Sequence, residues 1–329
     1  MGSFAIPTLC SFPSRLSSVR RFSPAIPFSR PLLPAKTLLA PFKPKPSFLI
    51  ASDLKSFDCK SKSSMAEMAP SAADGKKKLL VFESKDDLAA SLAKYTAELS
   101  EKFVKDRGAF TVVLSGGSLI DYLRKLTEAP YIGSVEWAKW HVFWVDERVV
   151  PKDHADSNYK LAYDGFLSKV PIPPGNVYAI NDALPAEGAA DDMETCLRQL
   201  VKSKVVDISA ATGFPKFDLM LLGMGPDGHV ASLFPGHPLL NENQRWVTFI
   251  KDSPKPPPER ITFTFPVINS SEYIALVVTG AGKAGAVRVA LGSDQSSVSL
   301  PVQMVAPEGV LTWFTNKAAT SQLEDQACL

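Results

Sequence analysis

From Leu79 onward, short apolar runs alternate with longer stretches of helical period, the pattern of a sheet built from repeated βα units. Leu79 to Glu83 reads as a first strand. Asp86 to Lys105 carries Leu88, Leu92, Tyr95, Leu99 and Phe103 three or four residues apart, which predicts an amphipathic helix. Phe110 to Leu114 and His141 to Val145 are apolar or β-branched and predict buried strands, with a helix resuming from Leu119 to Leu126 between them. Helices are expected over Asn158 to Leu167, Asp191 to Val206 and Gly282 to Leu291. Further strands are expected at Phe217 to Leu222, Trp246 to Ile250, Ile261 to Phe265, Tyr273 to Val278 and Val310 to Thr315. The prolines from Pro254 to Pro258 make a stiff connector, short enough to be a loop within one domain. The expected fold is a single three-layer α/β domain with a mostly parallel, Rossmann-like sheet of eight or more strands flanked by helices.

Charge separates this body from what precedes it. The chain has 329 residues, 36 Lys and Arg against 34 Asp and Glu, and a net charge of +2. Its first 52 residues hold no acid, seven basic residues, nine Ser and nine Pro. That is the composition of an organellar transit peptide, and prolines this dense favour a plastid over the Arg-rich amphipathic helix of a mitochondrial presequence. The expected organisation is a leader over 1–64, a flexible segment over 65–78, a catalytic domain over 79–316 and a tail over 317–329. Met65 offers a second start for a cytosolic form. The terminal Ala327-Cys328-Leu329 lacks the basic middle residue of a peroxisomal address. From Met65 onward 26 basic residues face 32 acidic ones, a net charge of −6. Such a body has no overall attraction for nucleic acid or anionic membrane, and any anion site has to be local. No run of eighteen apolar residues predicts a membrane span. Four Cys, two of them in the leader, are too few for a disulfide framework, and no His/Cys cluster predicts a metal.

In open parallel sheets ligands sit beyond the carboxyl ends of the strands, and three polar or Gly-rich clusters fall there. Ser115-Gly116-Gly117-Ser118 opens a helix and either cradles a phosphate with its backbone N–H groups or simply turns the chain. It is neither a Walker A loop nor a dinucleotide fingerprint. Asp146-Glu147-Arg148 reads as a surface ion-pair cluster or, through Arg148, as an anion contact. Gly223-Met224-Gly225-Pro226-Asp227-Gly228-His229 follows the strongest strand. Gly225 there permits close approach of a ligand, and His229 suits proton transfer near neutrality, with Asp227 two residues away to orient it. Lys283 opens a helix, where a cation opposes the helix dipole by about 0.3–1 kcal/mol unless an anion compensates. His141 and His154 read as structural or solvated, and His237 is undecided. No Gly-x-Ser-x-Gly elbow supplies a nucleophile. What remains is water or a substrate hydroxyl activated by His229, acting on a phosphorylated small molecule.

Leu114 to Ser118, Val145 to Val150 with Asp156-Ser157-Asn158, and Gly223 to Pro235 together resemble the 6-phosphogluconolactonase family in its plant plastid form; Pro258 to Thr262 and Thr279 to Lys283 are similar to its later motifs. The resemblance covers roughly Leu79 to Thr315. It implies hydrolysis of 6-phospho-D-glucono-1,5-lactone to 6-phospho-D-gluconate, the second step of the oxidative pentose phosphate pathway, in a chloroplast, without metal or cofactor. His229 and Asp227 would be catalytic; Ser115, Gly116, Gly117, Ser118, Arg148, Lys283 and Arg260 would hold the phosphate, with Asp146 and Gly225 also at the substrate. The related glucosamine-6-phosphate deaminases share the Gly-x-Asp-Gly-His turn but place a catalytic Glu five residues after the His, where this chain has Phe234. A sugar-phosphate sensor without catalysis is the other alternative, opposed by retention of both Asp227 and His229. The expected partner is a small phosphosugar lactone, and the expected state a monomer.

Overall fold

Residues 76–292 and 299–323 are described by the computed structural model, and all lie in one compact unit of the chain. The leader, Met65 and the terminal Ala327-Cys328-Leu329 lie outside the described residues. Strand β1 (Lys77–Phe82) starts two residues before the expected Leu79 and leads into helix α1 (Lys85–Arg107). Ser84 caps that helix by accepting the Asp87 N–H, two acids occupy its first turn, and Gly108 closes it in a left-handed conformation. Strand β2 (Phe110–Leu114) passes through Ser115–Ser118 into the short helix α2 (Leu119–Tyr122), which tightens into a 3-10 turn over Leu123–Thr127. After α3 (Tyr131–Ser134), β3 (Trp140–Trp144) runs through Val145 into β4 (Asp146–Arg148).

Helix α4 (Asn158–Gly165) and α5 (Ala186–Lys202) follow. The latter begins five residues before the expected Asp191 and ends four before Val206. Its buried face is carried by Ala186, Ala189 and Ala190 ahead of Met193 and Leu197, and alanines register poorly in a pattern of large apolar residues. A small hairpin, β5 (Asp207–Ile208) with β6 (Pro215–Lys216), precedes β7 (Leu219–Gly223). The remaining elements are β8 (Val247–Ile250), β9 (Arg260–Phe263), α6 (Phe265–Asn269), β10 (Tyr273–Val278), α7 (Ala284–Leu291), β11 (Val310–Asn316) and α8 (Lys317–Thr320). Phe265, expected at a strand end, instead starts a helix with Pro266 in its first turn. Residues 317–320, expected in a tail, form α8, capped by Asn316.

The main sheet has six parallel strands in the order β1-β11-β10-β7-β2-β3. The other predicted strands do not join it. β9 pairs antiparallel with β8 on one side and with β4 on the other, in a separate three-stranded sheet. The reason lies in chain length: the connector between Ile250 and Arg260 is too short for a parallel crossover, which needs a dozen residues or more. Val145 joins the two sheets, its N–H donating to Leu114 O and its carbonyl accepting from the Phe263 N–H.

Alternate residues of each central strand face opposite layers. Val113, Met220, Leu222, Ile274, Leu276 and Trp313 pack with α5, α6, α7 and the small sheet. Val112, Leu114, Leu219, Leu221, Ala275 and Phe314 pack with α1 and α4. Each fully buried leucine in these layers contributes about 1.5–3 kcal/mol. The strand order also fixes where a ligand can enter. From β2 the chain moves outward to β3, and from β7 it moves the other way to β10. The two neighbours therefore part at their carboxyl ends, the topological switch point of an open parallel sheet.

Candidate active site

A cleft of about 170 Å³ opens at that parting. It is lined by Ser115 to Leu119 after β2, Asp146, Arg148 and Asn158 beside β4, Gly223 to Gly225, His229 and Ala231 after β7, Arg260 of β9, Val277 of β10 and Lys283 before α7. Every residue expected at the site lines this cleft except Asp227, which stands behind His229. The loop after β2 is built to offer donors. Gly117 sits at φ +67, and the N–H groups of Gly116, Gly117 and Ser118 have no acceptor among the described residues. The hydroxyl of Ser115 is engaged: its Oγ accepts the Gly223 N–H at 3.1 Å, tying the end of β2 to the end of β7.

The turn after β7 holds the acid–base pair. His229 Nδ1 and Asp227 Oδ1 are 2.5 Å apart, and Lys255 Nζ lies 3.1 Å from the same carboxylate oxygen. Burial by itself opposes charge on Asp227, but the His229 hydrogen bond, the His229 charge and Lys255 outweigh it and hold the carboxyl below its ordinary value. An ionised carboxylate only accepts, so the proton of this contact sits on Nδ1. Nε2 is then the free base, with no partner among the described residues. Burial pushes the imidazole below its ordinary value, Asp227 and Asp146 pull the other way, and Lys255 adds to the depression. His229 is therefore neutral at neutral pH.

The cations are the second feature. Arg148, Arg260 and Lys283 line the cleft, and none of them pairs with a carboxylate among the described residues. Arg148 donates from Nη1 to Asp156 O at 2.8 Å and leaves a buried Nε with no acceptor. Burial first, and Lys255 second, push the Lys283 ammonium below its ordinary value. Arg260 is 3% exposed and spends most of its fork on the chain, donating to the carbonyls of Lys255, Pro256 and Pro257 at 2.8, 3.1 and 2.9 Å. Burial and Arg148 both depress its pKa. Asp146 accepts the Ser232 hydroxyl at 2.8 Å and is 6% exposed.

Glu147 is no part of a surface ion pair. It is buried and accepts the backbone N–H groups of Arg148, Asn158 and Tyr159 at 2.7, 2.8 and 2.7 Å, anchoring α4 against β4. Desolvation pushes its carboxyl up to about 7, against the pull of those three donors. Sequence reasoning missed Glu147, Asn158 and Lys255. Asn158 follows the Ser157 cap of α4 and stands so close to Gly116 that a Cβ there would lie 1.9 Å from its Oδ1. Lys255 lay in what read as a connector. The other histidines lie away from the cleft: His141 contacts the Tyr178 hydroxyl, and His154 and His237 accept nearby N–H groups.

A second hollow, about 270 Å³, lies beside Lys152, Tyr159, Tyr163 and Leu167, but its one cation is already paired with Asp182 and it holds no acid–base couple. Among the described residues no group of His, Cys, Asp or Glu is arranged to hold a metal, and no helix is long and apolar enough to cross a membrane.

The family model described as glucosamine-6-phosphate isomerases/6-phosphogluconolactonase matches residues 83–313. A protein of Oryza sativa subsp. indica named probable 6-phosphogluconolactonase 4, chloroplastic, is 73% identical over 250 residues, 75% of this chain and 77% of its own length. 6-Phosphogluconolactonase 3, chloroplastic, of Arabidopsis thaliana is 65% identical over 248 residues, 75% and 76% of the two chains. Among solved structures, that of 6-phosphogluconolactonase from Thermotoga maritima aligns with a TM-score of 0.61 at 31% identity, covering 74% of this chain and 100% of the other.

Gly225 gives the turn a direct test. A Cβ there would lie 2.1 Å from His229 Nδ1 and 2.6 Å from Asp227 Oδ1, so neither side chain could keep its place. Gly225→Ala is expected to leave the fold intact while abolishing the low-field Nδ1–H resonance of the short Asp227–His229 bond in proton NMR. Retention of that resonance would mean that the turn does not depend on a glycine there.

Proposed function

Since this chain belongs to the glucosamine-6-phosphate isomerase/6-phosphogluconolactonase family, we propose that it hydrolyses 6-phospho-D-glucono-1,5-lactone to 6-phospho-D-gluconate with water activated by His229. One observation carries this reading: an imidazole with a free Nε2, whose charged form burial disfavours, lines the same cleft as three cations that have no carboxylate partner among the described residues. Such a cleft suits a neutral electrophile attached to a strong anion.

Nε2 takes a proton from water as its oxygen adds to the lactone carbonyl. The tetrahedral intermediate collapses by breaking the bond from the carbonyl carbon to the ring oxygen. That oxygen receives the proton from Nε2, and the new carboxylic acid ionises. General base catalysis of this kind contributes about 10²–10⁴-fold. Asp227 holds the Nδ1–H tautomer throughout and stabilises the transient imidazolium, and backbone N–H groups meet the oxyanion. Arg148, Lys283 and the N–H groups of Gly116 to Ser118 hold the 6-phosphate, with Nη1 of Arg260, which also donates to Ser232 Oγ at 3.5 Å, beside them. The free oxygen of Asp146 accepts from sugar hydroxyls.

Phe234 is 1% exposed and its ring centroid lies 4.7 Å from that of His229. An apolar ring at that position supports lactone hydrolysis over the ring-opening and amine chemistry that the deaminases run with a carboxylate. With that product, the reaction proposed is the second step of the oxidative pentose phosphate pathway. The acid-free leader, together with the chloroplastic names of relatives 65% and 73% identical, supports delivery to plastids.

In a pH-stat assay on fresh lactone, corrected for spontaneous hydrolysis, His229→Ala is expected to lower kcat about 10²–10⁴-fold with KM little changed. A fully active variant would remove His229 as the base. Because the neutral imidazole is the reactive form and burial depresses its pKa, kcat/KM should be flat above an acid limb whose midpoint lies below the ordinary histidine value of 6.5. Lys283→Ala removes a charged hydrogen bond and should raise KM roughly 10–100-fold; a fall in kcat alone would assign Lys283 elsewhere. A fusion of residues 1–64 to a fluorescent protein is expected to accumulate in plastids, and retention in the cytosol would refute the transit assignment.

A further inference from the structure

Asp227 and His229 are not alone in their turn. Lys255 Nζ stands 3.1 Å from Asp227 Oδ1 and 3.2 Å from His229 Nδ1. An ammonium has only donors, so it cannot share Nδ1 with the proton that the 2.5 Å contact to Asp227 requires. The arrangement consistent with all three distances has Nδ1–H and Nζ–H both donating to Oδ1. We propose that Lys255 is a positioning residue for the hydrolysis: its ammonium locks the Asp227 carboxylate so that His229 keeps its proton on Nδ1 and presents a bare Nε2 to water. The assignment rests on His229 being the general base.

The backbone that carries Lys255 is held as firmly as its side chain. Lys255 O accepts from Ser253 Oγ and from Arg260 Nη2, both at 2.8 Å, and Ser253 N–H donates to Pro258 O at 3.2 Å. Three prolines follow in sequence, each with φ restricted by its ring. A lysine on a free loop would lose several rotatable bonds' worth of freedom to make this contact, and here much of the backbone part is already fixed.

Two consequences follow for the chemistry. With Oδ1 engaged twice, the carboxylate cannot swing away from Nδ1, and the imidazole cannot exchange into the tautomer that would put a proton on Nε2. The second consequence is electrostatic. The imidazole is faced by Asp227 from its own turn, by Asp146 from β4 and by Lys255 from the proline loop, while Arg148, Arg260 and Lys283 line the same cleft. Of these cations, Lys255 stands 3.2 Å from the ring nitrogen Nδ1, and its charge disfavours the imidazolium. The resting base stays uncharged, and the imidazolium formed during the reaction is more ready to return its proton to the departing ring oxygen.

The test reads the ring without substrate and the reaction with it. His229 is one of four histidines, and its Cε1–H signal is identified as the one absent from His229→Gln. In Lys255→Met, which keeps the stem and removes the charge, that signal is expected to titrate roughly one pH unit higher than in the unaltered chain. The acid limb of kcat/KM should move with it, kcat should fall about tenfold and KM should change little. Lys255→Arg, which restores the charge, should move the titration back. An unmoved titration overturns the proposal. So does a rise in KM alone, which would make Lys255 a substrate contact. Activity retained by His229→Gln would instead overturn the general-base reading, whatever the titration of Lys255→Met.

Discussion

The parting of β2 and β7 is the constraint on which the rest depends. Neighbouring parallel strands whose chains leave in opposite directions cannot have the same loop cover both carboxyl ends, so a gap is left in the layer above them. Into that gap run the loops after β2 and β7 and the one after β10, and the small antiparallel sheet brings Asp146, Arg148 and Arg260 from the side. The cleft is assembled from segments far apart in sequence, around Ser115, Asp146, Gly223, Arg260 and Lys283. Their meeting is a property of strand order, and any substitution that reordered the strands would scatter them.

Within the gap the protein leaves positive charge unneutralised. The body from Met65 onward carries −6, yet Arg148, Arg260 and Lys283 gather where no carboxylate pairs with them. Burying unpaired cations is costly, and the depressed pKa of Lys283 records that cost. A phosphate arriving from solvent would relieve it. The same logic separates the two acids of the site: Asp227 is supplied with a ring N–H from His229 and the ammonium of Lys255, whereas Asp146 keeps one oxygen free toward the cleft.

Much of this was legible in the sequence. The six parallel strands announce themselves as apolar runs, and the clusters at Ser115, Asp146 and Gly223 stand where strands end. What periodicity cannot give is sheet membership: β8 and β9 look like the other strands, and only the short connector between them argues for an antiparallel pair. The alanine-led start of α5 was hidden for a different reason, since small residues bury a face without marking it. Lys255 and Glu147 were illegible because their roles depend on tertiary neighbours. A lysine among prolines and an acid between two charges give no local sign that one reaches the Asp227 carboxylate and the other accepts from three backbone N–H groups.

The bond from Gly223 N–H to Ser115 Oγ bears on how a ligand is received. It stitches the two strands together at the apex of their divergence, while the Ser115 N–H donates back to Leu221 O at 3.0 Å. A wedge fastened at its apex has an opening angle set by the sheet twist and not by what enters. The floor of the cleft is therefore held by its own hydrogen bonds before binding, and adaptation to a substrate falls to the rim, where the long side chains of Arg148 and Lys283 end. Selectivity at the floor is accordingly a matter of shape, and at the rim a matter of charge.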